Sequence, residues 1–114
     1  MCDCLFCKMV KGEIPTNKLY EDENMIVIKD LNEKPKIHYL MIPKDHYEDI
    51  TKINDEQAVV LGKCLKKVGE LCVDKLKMTN GFRLANNCGE DGCQSIKHLH
   101  FHILGGEKLS EDMG

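Results

Sequence analysis

His98-Leu99-His100-Phe101-His102-Ile103-Leu104-Gly105-Gly106 alternates three imidazoles with large apolar side chains and closes on two glycines. Read as a strand, a period of two places the histidines on one face and leaves Leu99, Phe101 and Ile103 to anchor the other face in a core. At roughly 3.3 Å per residue, successive histidines stand about 6.6 Å apart and the outer pair about 13 Å. One metal ion can take two neighbours but hardly all three. The row therefore suits work along an extended substrate better than metal storage. The chain has five histidines in all, so strict alternation of three of them is poorly explained as ordinary strand polarity.

The residues just upstream, Asn86-Asn87-Cys88-Gly89-Glu90-Asp91-Gly92-Cys93-Gln94-Ser95, form a polar loop with amide and hydroxyl side chains. A glycine-bearing loop can present backbone N–H groups to an anion. Gly-Glu-Asp-Gly alone is an ordinary turn signal; its place directly before the histidine row makes it informative. Anion donors, a hydroxyl and several imidazoles in one short stretch suit phosphoryl chemistry.

With 114 residues and 42% hydrophobic content, the chain can bury one core, so one domain is expected over 1–114, with a tail at 107–114 expected to be mobile. No apolar run is long enough to span a membrane and no leader pattern opens the chain, which leads to the expectation of a cytoplasmic protein without a membrane partner. The net charge is −3. Lysines and acids are interspersed, without a basic stripe, which argues against a nucleic-acid partner.

Seven cysteines, an odd number with no export signal, fit reduced thiols or metal ligation better than a disulfide framework. Cys64 and Cys72 fall in a helical pattern as small core residues. Cys4 and Cys7 have the Cys-x-x-Cys spacing that turns two thiolates to one zinc ion, and a tetrahedral site needs two further nitrogen or sulfur ligands. Cys2, Cys88 and Cys93 are spare thiols for such a site, and a redox pair is the competing reading of Cys4 and Cys7.

The coarse organisation predicts a short helix over 4–11, ended by Gly12 and Pro15. Strands follow at 18–21 and 25–29 around an Asp22-Glu23-Asn24 hairpin, then at 38–42, closed by Pro43. A long helix runs from about 55 to 75 with Asn54 as N-cap. Its apolar stripe is Ala58, Leu61, Leu65, Val68 and Cys72, widened by Val60, Cys64 and Leu71. Gly62 and Gly69 in this helix permit close approach of another backbone, from the sheet or from a second subunit. Thr79-Asn80-Gly81 is expected to end the helical stretch before a strand at 82–86. The fold class is α+β, a mainly antiparallel sheet of about five strands with one long helix and a short N-terminal helix.

His98 through Leu104 matches the signature of the histidine triad (HIT) family, and the chain resembles its histidine nucleotide-binding (Hint) branch elsewhere. The resemblance includes Gly92-Cys93-Gln94-Ser95-Ile96, Gly105-Gly106, His38-Tyr39-Leu40-Met41-Ile42-Pro43-Lys44-Asp45-His46 and Cys4-Leu5-Phe6-Cys7-Lys8-Met9-Val10-Lys11-Gly12-Glu13-Ile14-Pro15. It implies a HIT-like fold and a homodimer packed through the long helix and the strand after it. The implied activity is cleavage of purine nucleoside 5′-phosphoramidates, or related mixed anhydrides carrying AMP or GMP, at the α-phosphorus. His100 would be the nucleophile of a nucleotidyl-histidine intermediate, an imidazole being a good nucleophile near its ordinary pKa of about 6.5. By the same resemblance His102, Ser95, Gln94, Asn87 and the Gly92 loop bind phosphate and assist the leaving group, and His38 stands beside the site. Asp30 grips the ribose, and Leu5, Phe6, Met9 and Leu31 wall the base.

The resemblance also implies a structural zinc on Cys4, Cys7, His46 and His98, with no metal required for catalysis, and has the His98 carbonyl orient the His100 ring. Other readings are a nucleotide-binding regulatory module with little turnover, a dinucleoside polyphosphate hydrolase, and a zinc hydrolase built on an adjacent histidine pair. The chain departs from the branch at Cys93, where relatives often have glycine, at Lys97, where an aromatic residue often stands, in lacking tryptophan and in its short tail after Gly106.

Overall fold

The computed structural model describes residues 4–112, so Cys2, considered above as a spare thiol, and the last two residues of the tail lie outside the described residues. Helix α1 (Leu5–Val10) is followed by β1 (Lys18–Glu21), β2 (Met25–Lys29), β3 (Ile37–Pro43), a 3-10 turn at Ile50–Lys52, helix α2 (Asp55–Asp74), β4 (Arg83–Ala85) and β5 (Phe101–Gly105). The strands make one five-stranded sheet in the order β1-β2-β3-β5-β4. All four pairings are antiparallel. The α+β architecture expected from the sequence is present.

Local chemistry explains the element ends. The Asp22 carboxylate accepts the N–H groups of Asn24 and Met25, at 2.7 and 3.0 Å, and so closes the β1–β2 hairpin. Asn54 caps α2 through a reciprocal box with Gln57, each side chain meeting the other's backbone N–H at 2.9 Å. The far end of α2 stops earlier than the Thr79-Asn80-Gly81 signal suggests. Lys75 is its cap, the Leu71 carbonyl accepts both the Lys75 and Leu76 N–H groups, and Lys77 adopts a left-handed φ of 58°.

The sheet separates two apolar layers. Met25, Val27, Met41 and Ile103 point to α2 and pack with Leu61, Cys64, Val68, Leu71 and Cys72. Ile26, Ile28, Leu40 and Ile42 point the other way and pack with Phe6 of α1. Because both faces are covered, β2 is buried from Met25 to Ile28 without alternation. The stripe on α2 begins at Leu61; Ala58 lies on the exposed side. A Cβ built on Gly62 or Gly69 meets nothing within 4 Å. Neither glycine therefore packs against the sheet.

The histidine row differs from the predicted strand. The β5 ladder starts only at Phe101, because β3 ends in Pro43 and the Leu99 N–H turns to the Tyr47 carbonyl at 2.6 Å. The alternation nonetheless persists beyond the ladder. Leu99 and Ile103 are in the α2 layer, with Phe101 packed against it, while Phe6 of α1 touches the rings of both His98 and His100. In the tail, Glu107 accepts the Lys36 N–H at 2.7 Å and the Ser110 carbonyl accepts from the Arg83 guanidinium.

Burial pushes the Cys64 and Cys72 thiols up to about 11, which keeps them protonated and inert at neutral pH. Cys93 is exposed. Iodoacetamide at pH 8 should therefore alkylate Cys93 in the native protein and spare Cys64 and Cys72 until denaturant is added. Peptide mass mapping checks this; comparable labelling of either helix thiol would contradict the packing described.

Candidate active site and metal centre

His98 joins two polar clusters. It has no exposed surface, and its Nε2–H donates to the Pro43 carbonyl at 2.9 Å. A carbonyl only accepts, so Nδ1 carries the lone pair. Burial lowers the His98 pKa to about 4, leaving the neutral form that ligates metals. That lone pair faces Cys4 Sγ at 3.3 Å, Cys7 Sγ at 3.5 Å and His46 Nδ1 at 3.1 Å. His46 Nδ1 in turn lies 3.7 Å from Cys4 Sγ and 3.4 Å from Cys7 Sγ.

Bond lengths of about 2.3 Å to sulfur and 2.0–2.1 Å to nitrogen give a tetrahedron with nitrogen–sulfur edges of about 3.5 Å and a nitrogen–nitrogen edge of about 3.3 Å. The four donor atoms stand at those separations, all within 4.8 Å of one another. Their geometry and chemistry fit a closed metal site, and the four residues are those expected from the sequence. Helix α1 supplies Cys7, and Cys4 is its N-cap, with the sulfur accepting the Cys7 N–H at 3.3 Å.

The His98 backbone serves the second cluster. Its carbonyl accepts the Nδ1–H of His100 at 2.8 Å, so the His100 lone pair is on Nε2. Asn86 holds the next carbonyl, donating its side-chain N–H to His100 O at 2.9 Å. His100 lines a cavity of about 670 Å³ with His102, Ser95 and Asp30, walled on the apolar side by Leu5, Phe6, Met9 and Leu31. The walls also include Ile14 to Asn17, Lys29, Glu33 and Ile96, which sequence reasoning missed. Only their proximity to α1 and to the end of β2 in space identifies them.

His38 sits behind this wall. It is a diagonal neighbour of His102 across the β3–β5 ladder, in which Leu40 pairs with His102 and His38 with Leu104. Its Nδ1–H donates to the Lys34 carbonyl at 3.0 Å, and its Nε2 lies 2.9 Å from His102 Nδ1 and 3.2 Å from Asp30 Oδ2. Burial, with His100 and His38 nearby, lowers the His102 pKa, while Asp30 pulls it up. Asp30 is itself placed by its N–H, which donates to the His38 carbonyl at 2.9 Å, and by Oδ1, which accepts the Asn32 N–H at 2.8 Å.

The loop residues are used differently from the sequence expectation. Neither Asn87, Gly92 nor Gln94 lines the cavity. Asn87 donates to the Gly92 carbonyl at 2.6 Å. Gln94 donates to the Glu48 and Ile96 carbonyls at 2.7 and 3.0 Å and accepts the Gly89 N–H at 2.9 Å. These amides brace the loop and leave Ser95 on the cavity wall. A Cβ at Gly92 would collide with the Cys88 backbone, whereas Cys93 takes a left-handed φ of 61°. A side chain there costs about 1–2 kcal/mol.

Known proteins share this fold. Residues 3–113 match the family model described as "Scavenger mRNA decapping enzyme C-term binding". Protein HitA of Neisseria gonorrhoeae is 39% identical over 105 residues, covering 92% of this chain and 97% of that protein. A HIT family hydrolase from Legionella pneumophila Philadelphia 1 superimposes with a TM-score of 0.92 at 34% identity, over 98% of this chain and 100% of the other. A histidine triad protein from Clostridium difficile does so with a TM-score of 0.90 at 41% identity, over 96% of each chain.

Two substitutions test the loop. Gly92→Ala should destabilise the protein by about 1–3 kcal/mol, because backbone must move. Cys93→Gly should be neutral or stabilising by up to about 1 kcal/mol. Urea denaturation measures both, and equal effects would contradict the loop conformation.

Proposed function

The chain belongs to the histidine triad family, and from that premise we propose that it hydrolyses purine nucleoside 5′-phosphoramidates or related mixed anhydrides at the α-phosphorus. The observation that carries this reading is the His100–His98 hydrogen bond. It occupies Nδ1 and leaves Nε2 as the nucleophile in a cavity that also holds His102, Ser95 and Asp30. His100 Nε2 forms a bond to phosphorus as the bond from phosphorus to the leaving amine breaks. Water then cleaves the phosphorus–histidine bond, releasing the nucleoside monophosphate and restoring His100.

Departure of the amine needs a proton, and the His38–His102 contact supplies a path for it. With a proton on His38 Nε2 beside the Asp30 carboxylate, His102 accepts at Nδ1 and donates from Nε2 to the amine. The reverse transfer activates the water. The Ser95 hydroxyl binds the phosphate, with Asn87, Gly92 and Gln94 acting through the shape of the loop. Asp30 reaches the ribose hydroxyls, and Leu5, Phe6, Met9 and Leu31 enclose the base.

Zinc is the ion proposed for Cys4, Cys7, His46 and His98, since two thiolates and two imidazoles at tetrahedral spacing are its preferred donor set. Bound there, it supplies cross-linking of α1 to the rest of the chain and no catalytic position. The second proposal of assembly is a homodimer through the outer face of α2. There Val59 is 61% and Val73 42% exposed, flanking the open Gly62 and Gly69. Among the described residues no helix is long and apolar enough to cross a membrane.

A fluorogenic adenosine 5′-phosphoramidate tests the reaction. Wild type should turn over and yield an acid-labile nucleotidyl adduct on His100, and His100→Ala should lose at least about 10³-fold in kcat while remaining folded. Asp30→Ala should raise KM. Brief chelation should leave the rate intact, while exhaustive metal removal should lower the melting temperature. Equal, vanishing rates in wild type and His100→Ala, with nucleoside monophosphate still bound, would favour a binding module instead. For the dimer, sedimentation equilibrium should show Gly62→Glu shifting the protein toward monomer; an unchanged mass would remove the α2 face from the interface.

A further inference from the structure

Three donor atoms outside the Cys4–Cys7–His46–His98 centre converge at the back of the cavity: His38 Nε2, His102 Nδ1 and Asp30 Oδ2. Their separations are 2.9, 3.2 and 4.0 Å. Zinc bonds of about 2.0 Å give tetrahedral edges of about 3.3 Å; the 2.9 and 3.2 Å edges stand close to that length, and the 4.0 Å edge between His102 and Asp30 closes to it with a small turn of the Asp30 carboxylate. Two imidazoles and one carboxylate also form a donor set that borderline transition metals favour.

Two of the three donors are already oriented by a partner on their other side. The His38 ring donates Nδ1–H to the Lys34 carbonyl at 3.0 Å, which frees Nε2. Asp30 Oδ1 accepts the Asn32 N–H at 2.8 Å, which leaves Oδ2 for an ion. The His102 backbone is held between Leu40 of β3 and Ala85 of β4. The outer contacts of His38 and Asp30 hold those ligands in pose and keep the His38 imidazole in the ligating tautomer. The side chains are 7%, 19% and 26% exposed for His38, Asp30 and His102, so an ion enters from the cavity and keeps a coordination position open to it.

We propose that Asp30, His38 and His102 form a second, exchangeable zinc site, and that zinc bound there switches the enzyme off. The ion takes the place of the proton shared by His38 and His102 and holds the Asp30 carboxylate away from the ribose. This is regulation of the same cavity, so the inhibitory part rests on the hydrolase reading, whereas the site itself does not. It is separate from the structural centre in every ligand.

The test titrates zinc by calorimetry into protein whose Cys4–Cys7–His46–His98 centre is already loaded. Wild type should bind one further zinc, and Asp30→Asn and His38→Ala should each bind it at least tenfold more weakly while keeping the first ion. Cobalt in the first centre, read by its thiolate charge-transfer band, verifies that the variants are folded there. Absence of a further zinc in wild type, or undiminished affinity in both variants, would overturn the site. Phosphoramidate turnover should fall at least tenfold as the second zinc binds and recover after brief chelation. A second zinc with undiminished turnover overturns the inhibitory role. A wild type inactive before any zinc is added sinks the hydrolase reading and with it the switch, while the calorimetric count still decides the site.

Discussion

One buried residue, His98, joins the two clusters. Its ring is fixed by the Pro43 carbonyl on one nitrogen and faces two sulfurs and an imidazole on the other, while its backbone carbonyl sets the tautomer of His100. A buried imidazole with both nitrogens directed has little freedom to move, and the peptide unit that follows it inherits that rigidity. The ring that faces the cavity is therefore held to the geometry of a Cys–His cluster it never touches. This arrangement explains why the segment leaves the β5 ladder before Phe101: the hydrogen bonds of His98 and Leu99 go to Pro43, Ile96 and Tyr47 instead of to a neighbouring strand.

The sheet makes this possible by dividing its two faces between unlike tasks. The α2 side is a continuous apolar layer, in which Met25, Val27, Met41, Leu99 and Ile103 meet the helix. The α1 side is apolar only at Phe6 and its neighbours and gives way to His38, Asp30, His100 and His102 toward the β2 and β3 ends. A full core behind the strand lets its front carry costly buried imidazoles, since the hydrophobic burial that stabilises the strand does not depend on them.

Much of this was legible in the sequence because it rests on local chemistry. The alternation in 98–104, the Asn54 cap and the Asp22 turn each report a backbone preference or a periodicity, and each is present in the structure. Family resemblance named the four residues of the Cys–His cluster and several that line the cavity, among them His100, His102, Ser95 and Asp30; neither spacing nor composition could have joined Cys4 to His98. What stayed hidden depends on where side chains end up after folding. Gln94 and Asn87 look the same in sequence whether they face phosphate or brace their own loop, and nothing local distinguishes the cases. The exposure of Ala58 follows from the angle at which α2 meets the sheet, which periodicity alone leaves free. The roles of the Lys34 and Pro43 carbonyls are invisible for the same reason, being backbone groups common to every residue.

Helix α1 is six residues long, far below the length at which a helix is stable alone in water. It persists through its docking: Cys4 meets His46 and His98, 42 and 94 positions away, and Cys7 meets the same two histidines 39 and 91 positions away. Yet Leu5, Phe6 and Met9 of that helix form one wall of the cavity. The wall thus rests on contacts that span nearly the whole chain, and closing loops of that length carries an entropic cost that the cluster must offset. Amide hydrogen exchange would rank it below the sheet. The base-facing wall of the cavity and the Cys4–Cys7–His46–His98 cluster are therefore one mechanical unit, and whatever loosens the cluster loosens the wall, while the strands that carry the imidazoles keep their own ladder.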